Sequence, residues 1–196
     1  MRERDRRDQL IDATLSLCIR CGYEATTVEQ IAAAAEVTPA DFACYFATKD
    51  AALMAVVDDL LQFTATALRH VDVAESPEQA LLVATTEVLI AIIDGRGVIT
   101  RDRMLAMAEI VTAQPSLRRQ ASSARKRILT RALADRMGVT AENRRVRQAV
   151  TKWSAVAASA YLDRYSMAAG YDPRQDDQLE DRATANLAAT FAQVMG

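Results

Sequence analysis

Glycine and proline are scarce in this 196-residue chain, six and four respectively, so long stretches contain nothing that interrupts a helix. A turn-rich β fold, with turn signals every ten residues or so, is disfavoured by the same scarcity. Cysteine is scarce too. Three of them, an odd number, do not make a disulfide framework and suit a reducing compartment. The single histidine, His70, sits beside Arg69 with no nucleophile motif, no glycine-rich phosphate loop and no metal-ligand spacing around it. Catalysis, a cofactor and a bound metal are therefore not expected. No window approaches eighteen unbroken apolar residues, and the charged start MRERDRRDQL is not followed by an apolar segment of signal-peptide form. Neither a membrane span nor secretion is expected, which leaves a cytoplasmic protein.

The chain does have apolar content enough for a core, 51% of its residues. Its most organised stretch is TTVEQIAAAAEVTPADFACYFATKDAAL, from Thr26 to Leu53. Thr27 precedes Val28 with Gln30 three residues on, the layout of an N-cap with a partial capping box. Val28, Ile31, Ala32 and Ala35 then recur at helical spacing and give one small apolar face. The run stops at Glu36-Val37. Thr38 can cap a second helix, and Pro39 suits its first position, where a missing N–H costs nothing. Phe42, Tyr45 and Phe46 supply the apolar anchor of that second helix. Two short helices meeting at a tight turn make a helix-turn-helix, the unit that seats its second helix in the major groove of DNA.

On either side of this unit the pattern is helical throughout. Leu10, Ala13, Leu17 and Cys18 mark the buried stripe of a first helix that ends at Gly22. Six helices are expected after the helix-turn-helix: 49–69, Pro77 to Ile93, 100–112, Pro115 to Met137, 141–169 and 178–194. Asp94-Gly95-Arg96-Gly97 is the clearest loop. In the last two helices Val156-Ala157-Ala158-Ser159-Ala160 and Ala188-Ala189 are small enough for helix axes to approach closely, within one subunit or between two.

Gly22-Tyr23, Thr26-Thr27-Val28, Ile31-Ala32, Val37-Thr38, Tyr45-Phe46, Lys49 and Leu53, in register, resemble the N-terminal signature of the TetR family of bacterial transcriptional regulators. The resemblance implies an all-α fold. A three-helix DNA-binding domain, here 1–48, precedes a larger helical effector-binding and dimerisation domain, here 49–196. It further implies a homodimer on a pseudo-palindromic double-stranded operator, and a repressor released by a small effector. Carried onto this sequence, the DNA-facing residues are Arg4 and Arg6 of an N-terminal arm, with Thr27, Thr38, Pro39, Ala40, Asp41, Ala43, Cys44, Tyr45 and Lys49.

Several of these positions depart from the family pattern. Glu36 stands where glycine is frequent, and Ala43 and Cys44 where an aromatic and a polar or basic residue are frequent. Neither offers a bidentate donor to a base edge, while Asp41 either accepts from a cytosine amino group or repels phosphate. Residues 1–50 hold six basic and nine acidic side chains, a net of −3. A helical small-molecule-binding protein with weak or lost DNA binding is thus the alternative reading.

Residues 118–147 carry the opposite bias, ten basic side chains against Asp135 and Glu142. Such a run either attracts an anionic ligand, of the kind of an acyl-CoA, or is a solvated face. Gln114-Pro115-Ser116-Leu117-Arg118 is also similar to the C-terminal regions of mycofactocin-system regulators, a resemblance that implies acyl-CoA ligands. Phe63, Leu89, Met104, Met107, Trp153 and Tyr161 are candidates to line a pocket for an apolar or amphipathic effector, or else are plain core. Cys18 and Cys21 form a CxxC and Cys44 lies on the second helix of the motif, which leaves thiol sensing open beside simple burial.

Overall fold

The computed structural model describes residues 3–167, with side chains for residues 5–156. Among the described residues there are eight helices and no strands: α1 (Glu3–Cys21), α2 (Val28–Ala34), α3 (Pro39–Tyr45), α4 (Lys49–Ala67), α5 (Pro77–Ile93), α6 (Arg101–Ala113), α7 (Pro115–Met137) and α8 (Arg144–Met167). The helix expected over 178–194 and the small residues Ala188-Ala189 lie outside the described residues, as do the side chains of Ala157, Ala158, Ser159 and Ala160.

Local chemistry explains most of the boundaries. Ser76 and Thr100 accept from the backbone N–H groups of Gln79 and Arg103, and Pro77 occupies the first turn of α5. α8 begins at Arg144 rather than near Ala141. The reason is a turn in which Asn143 N donates to Thr140 O, while Asn143 Oδ1 accepts from Arg145 N at 3.0 Å. At its first end the chain is helical from Glu3, so the stretch read as an N-terminal arm is the opening of α1.

The chain divides into two compact units, residues 1–59 with 99–121, and residues 60–98 with 122–196. In the first, α1 contacts both α2 and α6, and α2 contacts α3. Leu10, Ile11, Thr14, Leu15 and Cys18 of α1 are buried at helical spacing, while Ala13, expected on that stripe, is half-buried. The Thr14 hydroxyl satisfies itself on Leu10 O at 2.7 Å. Ile31, Phe42, Leu53 and Val56 complete this core, each fully buried side chain contributing about 1.5–3 kcal/mol. Two ion pairs frame it. Arg7 forks onto both carboxylate oxygens of Asp59 at 2.9 and 3.1 Å. Arg103 of α6 forks onto Asp12 of α1 at 2.6 and 2.8 Å, which raises its pKa further.

The second unit contains an α5–α8 contact. Pro77, Ala80, Leu81, Ala84, Val88 and Ile92 form the buried stripe of α5, and Val146, Ala149, Val150 and Trp153 that of α8. Arg136 ties the α4–α5 loop by donating to the carbonyls of Asp72 and Glu75.

Candidate nucleic-acid interface

The helix-turn-helix is built from two reciprocal caps. Thr27 Oγ1 accepts from Gln30 N at 3.3 Å while Gln30 Oε1 accepts from Thr27 N at 2.9 Å, so the capping box is complete. At α3 the same device uses Asp41. Its backbone N–H donates to Thr38 Oγ1 at 3.1 Å, and its Oδ2 accepts from Thr38 N and from the Thr38 hydroxyl at 3.0 and 2.7 Å. These bonds hold the Asp41 carboxyl below its ordinary pKa, with a smaller contribution from the nearby Arg6 charge. Asp41 is therefore an integral part of the helix start. The sequence reading missed this role, although Thr38 and Asp41 stand three residues apart just as Thr27 and Gln30 do.

Between the helices the chain turns at Glu36, whose φ of +53° is left-handed. Glu36 N donates to Ala33 O and Val37 N to Ala32 O, the paired bonds of a Schellman ending. α5 and α7 end in the same way on Gly95 and Gly138. Here a glutamate takes the glycine's place at a cost of about 1–2 kcal/mol.

Phe42 and Phe46 pin α3 from beneath, both buried, with ring centroids 5.8 Å apart and planes tilted by 51°. That orientation leaves Thr38, Pro39, Ala40, Asp41, Ala43 and Cys44 exposed, with Tyr45 half-buried beside them. The face is small and mostly apolar, suited to close approach and to contact with thymine methyl groups. Thr27 is exposed at the start of α2.

Other expected contacts are already engaged within the protein. The Lys49 ammonium donates to the carbonyls of Tyr23 and of Thr26, the latter at 2.8 Å, and lies 4.1 Å from the centre of the Tyr23 ring. Arg7 is committed to Asp59, and Arg6 is half-buried close to Asp41. The Arg4 side chain lies outside the described residues.

The family model for bacterial regulatory proteins of the tetR family matches residues 10–56, from the core of α1 through α3 into α4. Over these residues the chain is similar to the TetR family. A relative from Streptomyces glaucescens, the HTH-type transcriptional regulator TcmR, is 39% identical over 113 residues, which is 57% of this chain and 50% of that protein. The matched region thus spans half the length of the curated relative. A TetR-family transcriptional regulator from Syntrophomonas wolfei superposes with a TM-score of 0.66 at 16% identity, covering 100% of this chain and 97% of the other. The FadR repressor of Thermus thermophilus, solved with lauroyl-CoA, gives a TM-score of 0.56 at 19% identity over 96% of this chain and 93% of that one. At these identities the two structures share the fold.

The candidate effector residues fall into both units of this chain. Met104 and Met107 are buried in the first; Trp153 is buried and Phe63 and Leu89 are half-buried in the second. The Tyr161 side chain lies outside the described residues. The second unit also carries a surface groove of about 550 Å³ lined by Glu142, Arg144, Arg147, Gln148, Thr151 and Lys152, a set the sequence reading had not grouped. Its lining is three cations, two neutral donors and one acid. Among the described residues no three histidine, cysteine or acidic side chains gather as a metal site, and no helix is long and apolar enough to cross a membrane. Cys18 is buried and its thiol pushed up mainly by desolvation, whereas Cys21 and Cys44 are exposed free thiols.

Proposed function

We propose that this chain is a sequence-specific DNA-binding transcriptional regulator, a homodimeric repressor released by a small-molecule effector. The observation that carries the reading is the doubly capped α2–α3 unit, with its exposed α3 face, inside the stretch that matches the TetR-family model. Residues 1–48 are assigned to DNA, and 49–196 to the effector and to pairing of two chains. Thr27, Thr38, Tyr45, Arg4 and Arg6 serve phosphates, Lys49 braces the entry of α2 from within, and Pro39, Ala40, Asp41, Ala43 and Cys44 face bases. Two recognition helices set about 34–36 Å apart then read successive major grooves of a pseudo-palindrome.

The effector is an apolar or amphipathic molecule with an anionic end, of the class of an acyl-CoA. Two observations support that class. Lauroyl-CoA is bound by the T. thermophilus FadR, and Arg144, Arg147 and Lys152 line an open groove here. Phe63, Leu89, Met104, Met107, Trp153 and Tyr161 are assigned to its apolar part. Nothing in this reading calls for enzymatic activity.

A second reading, a ligand-binding protein with weak DNA binding, is favoured by the internal engagement of Lys49 and Asp41 and by the net charge of −3 in residues 1–50. Selection of random duplex DNA by the purified protein under reducing conditions separates the two. Enrichment of a pseudo-palindrome supports the regulator; a folded dimer that enriches nothing supports the rival. The double change Ala43→Tyr, Cys44→Arg raises DNA affinity little in the first case and markedly in the second.

A further inference from the structure

The first turns of α7 complete the clasp built around Lys49. Tyr23 follows Gly22 at the end of α1, and its hydroxyl donates to Asp50 Oδ1, near the start of α4, at 2.6 Å. The other oxygen, Asp50 Oδ2, accepts from Gln120 Nε2 of α7 at 3.1 Å, a bond between residues 70 positions apart. Ser116 precedes Gln120 by one turn on the same helix face and bears on the Tyr23 phenol, where it opposes the rise in pKa that burial and Asp50 impose. Lys49 lies over the Tyr23 ring and donates to the carbonyls of Tyr23 and Thr26. Thr26 is itself buried, with its hydroxyl on Gly22 O at 2.8 Å, and is the residue before Thr27, the N-cap of α2.

A chain of directional contacts thus runs from Gln120 through Asp50, Tyr23 and Lys49 to the entry of the helix-turn-helix. A movement of about 1 Å at α7 takes Gln120 out of hydrogen-bond range. α7 is one uninterrupted helix from Pro115 to Met137, and its turns beyond Ala121 belong to the second compact unit.

We propose that Gln120, assisted by Ser116, is a positioning residue for the DNA-reading helices: it holds the Tyr23–Asp50–Lys49 clasp closed, and displacement of the start of α7 opens the clasp and weakens operator binding. This inference rests on the regulator reading and gives it a route for release, from a ligand-driven shift of α7 to the entry of α2. Gln120 is exposed, so replacing it leaves the core intact.

The test uses the full chain with Gln120→Ala, Gln120→Glu and Gln120→Lys. Glutamate keeps the size but removes the donor and faces Asp50 with a like charge; lysine restores a donor. Amide hydrogen exchange over residues 23–31 is expected to rise about tenfold in the alanine and glutamate variants and to stay near wild type with lysine. Affinity for the duplex that the wild type selects is expected to fall about five- to tenfold in the first two, with lysine rescuing it at unchanged helicity and Tm. Unchanged exchange in all three overturns the inference, and so does faster exchange with undiminished DNA affinity. A wild-type chain that selects no duplex overturns the regulator reading, and the inference with it, before any variant is compared. An alanine or glutamate variant that binds the selected duplex as well as wild type overturns the inference alone.

Discussion

Glu36 and Tyr23 are single side chains whose environments make measurable claims. Glu36 holds φ +53° in the turn between α2 and α3, where an L-residue is strained. Replacing it by glycine relieves that strain but adds freedom to the unfolded chain, so Glu36→Gly is expected to raise stability by about 0.5–1 kcal/mol. A higher urea midpoint at unchanged m-value checks this; a lower midpoint shows the carboxylate contributing more than the turn costs. Tyr23 has its pKa raised from 10.0 to about 12, first by desolvation and then by Asp50. The folded state therefore favours the protonated phenol. Its contribution to stability is fully present below about pH 10 and is lost as pH rises through about 12. Ultraviolet titration of wild type against Tyr23→Phe should show the missing phenolate signal only at the alkaline end. A difference spectrum already complete at pH 10 would contradict the Asp50 bond. The occurrence of both residues is plain in the sequence. Their conformations are not, because a φ angle and a carboxylate neighbour 27 positions away are products of the folded chain.

At the scale of the element, α2 and α3 are seven residues each, too short to persist in water on propensity alone. Caps and burial from beneath hold them. Thr38→Ala removes the acceptor for Asp41 N and the donor to Asp41 Oδ2, and is expected to cost about 1 kcal/mol. DNA affinity should fall with it, since Thr38 is exposed on the α3 face proposed to meet the duplex. Phe42→Ala empties the space under α3 and should cost about 3–5 kcal/mol. Thermal unfolding ranks the two, and equal losses would place the strength of α3 in its cap rather than its anchor. The Asp41 carboxyl, held below its ordinary pKa, stabilises the helix start above that ordinary value and stops doing so as pH falls through the lowered one. Asp41→Asn should therefore reduce the acid sensitivity of α3, readable as a smaller difference in unfolding midpoint between pH 5 and pH 3. These elements were largely legible in advance, because caps, proline at the first turn and apolar spacing are local. Asp41 was harder to place: an acid on a recognition helix invites a reading in terms of DNA, and only the bonds to Thr38 reveal the cap.

At the scale of the molecule, charge is unevenly placed, with a net of −3 over residues 1–50 and the basic groove of α8 in the second unit. Under the proposed regulator function, a net-acidic DNA-facing stretch neutralises few phosphates, so operator affinity should depend only shallowly on salt. The expected log–log slope is no steeper than about −5 for a dimer. Measuring affinity between low and moderate salt checks this, and a much steeper slope would bring basic residues outside 1–50 onto the duplex. The compact units also differ from simple sequence order. α6 and the first turns of α7 join α1–α3, held by Arg103 on Asp12 and by Gln120 on Asp50.

The sequence by itself determined the helical class and the helix-turn-helix with its caps, and it carried the resemblance to the TetR family, because each is written within a few tens of residues. Only the tertiary structure decided that Lys49 turns inward onto Tyr23 and Thr26, that Arg7 pairs with Asp59, that the opening residues are helical, and that α6 belongs with the first unit. The physical reason is reach. A cap satisfies groups three residues away, whereas a long cation takes whichever partner the fold brings to it, and several are equally compatible with the sequence.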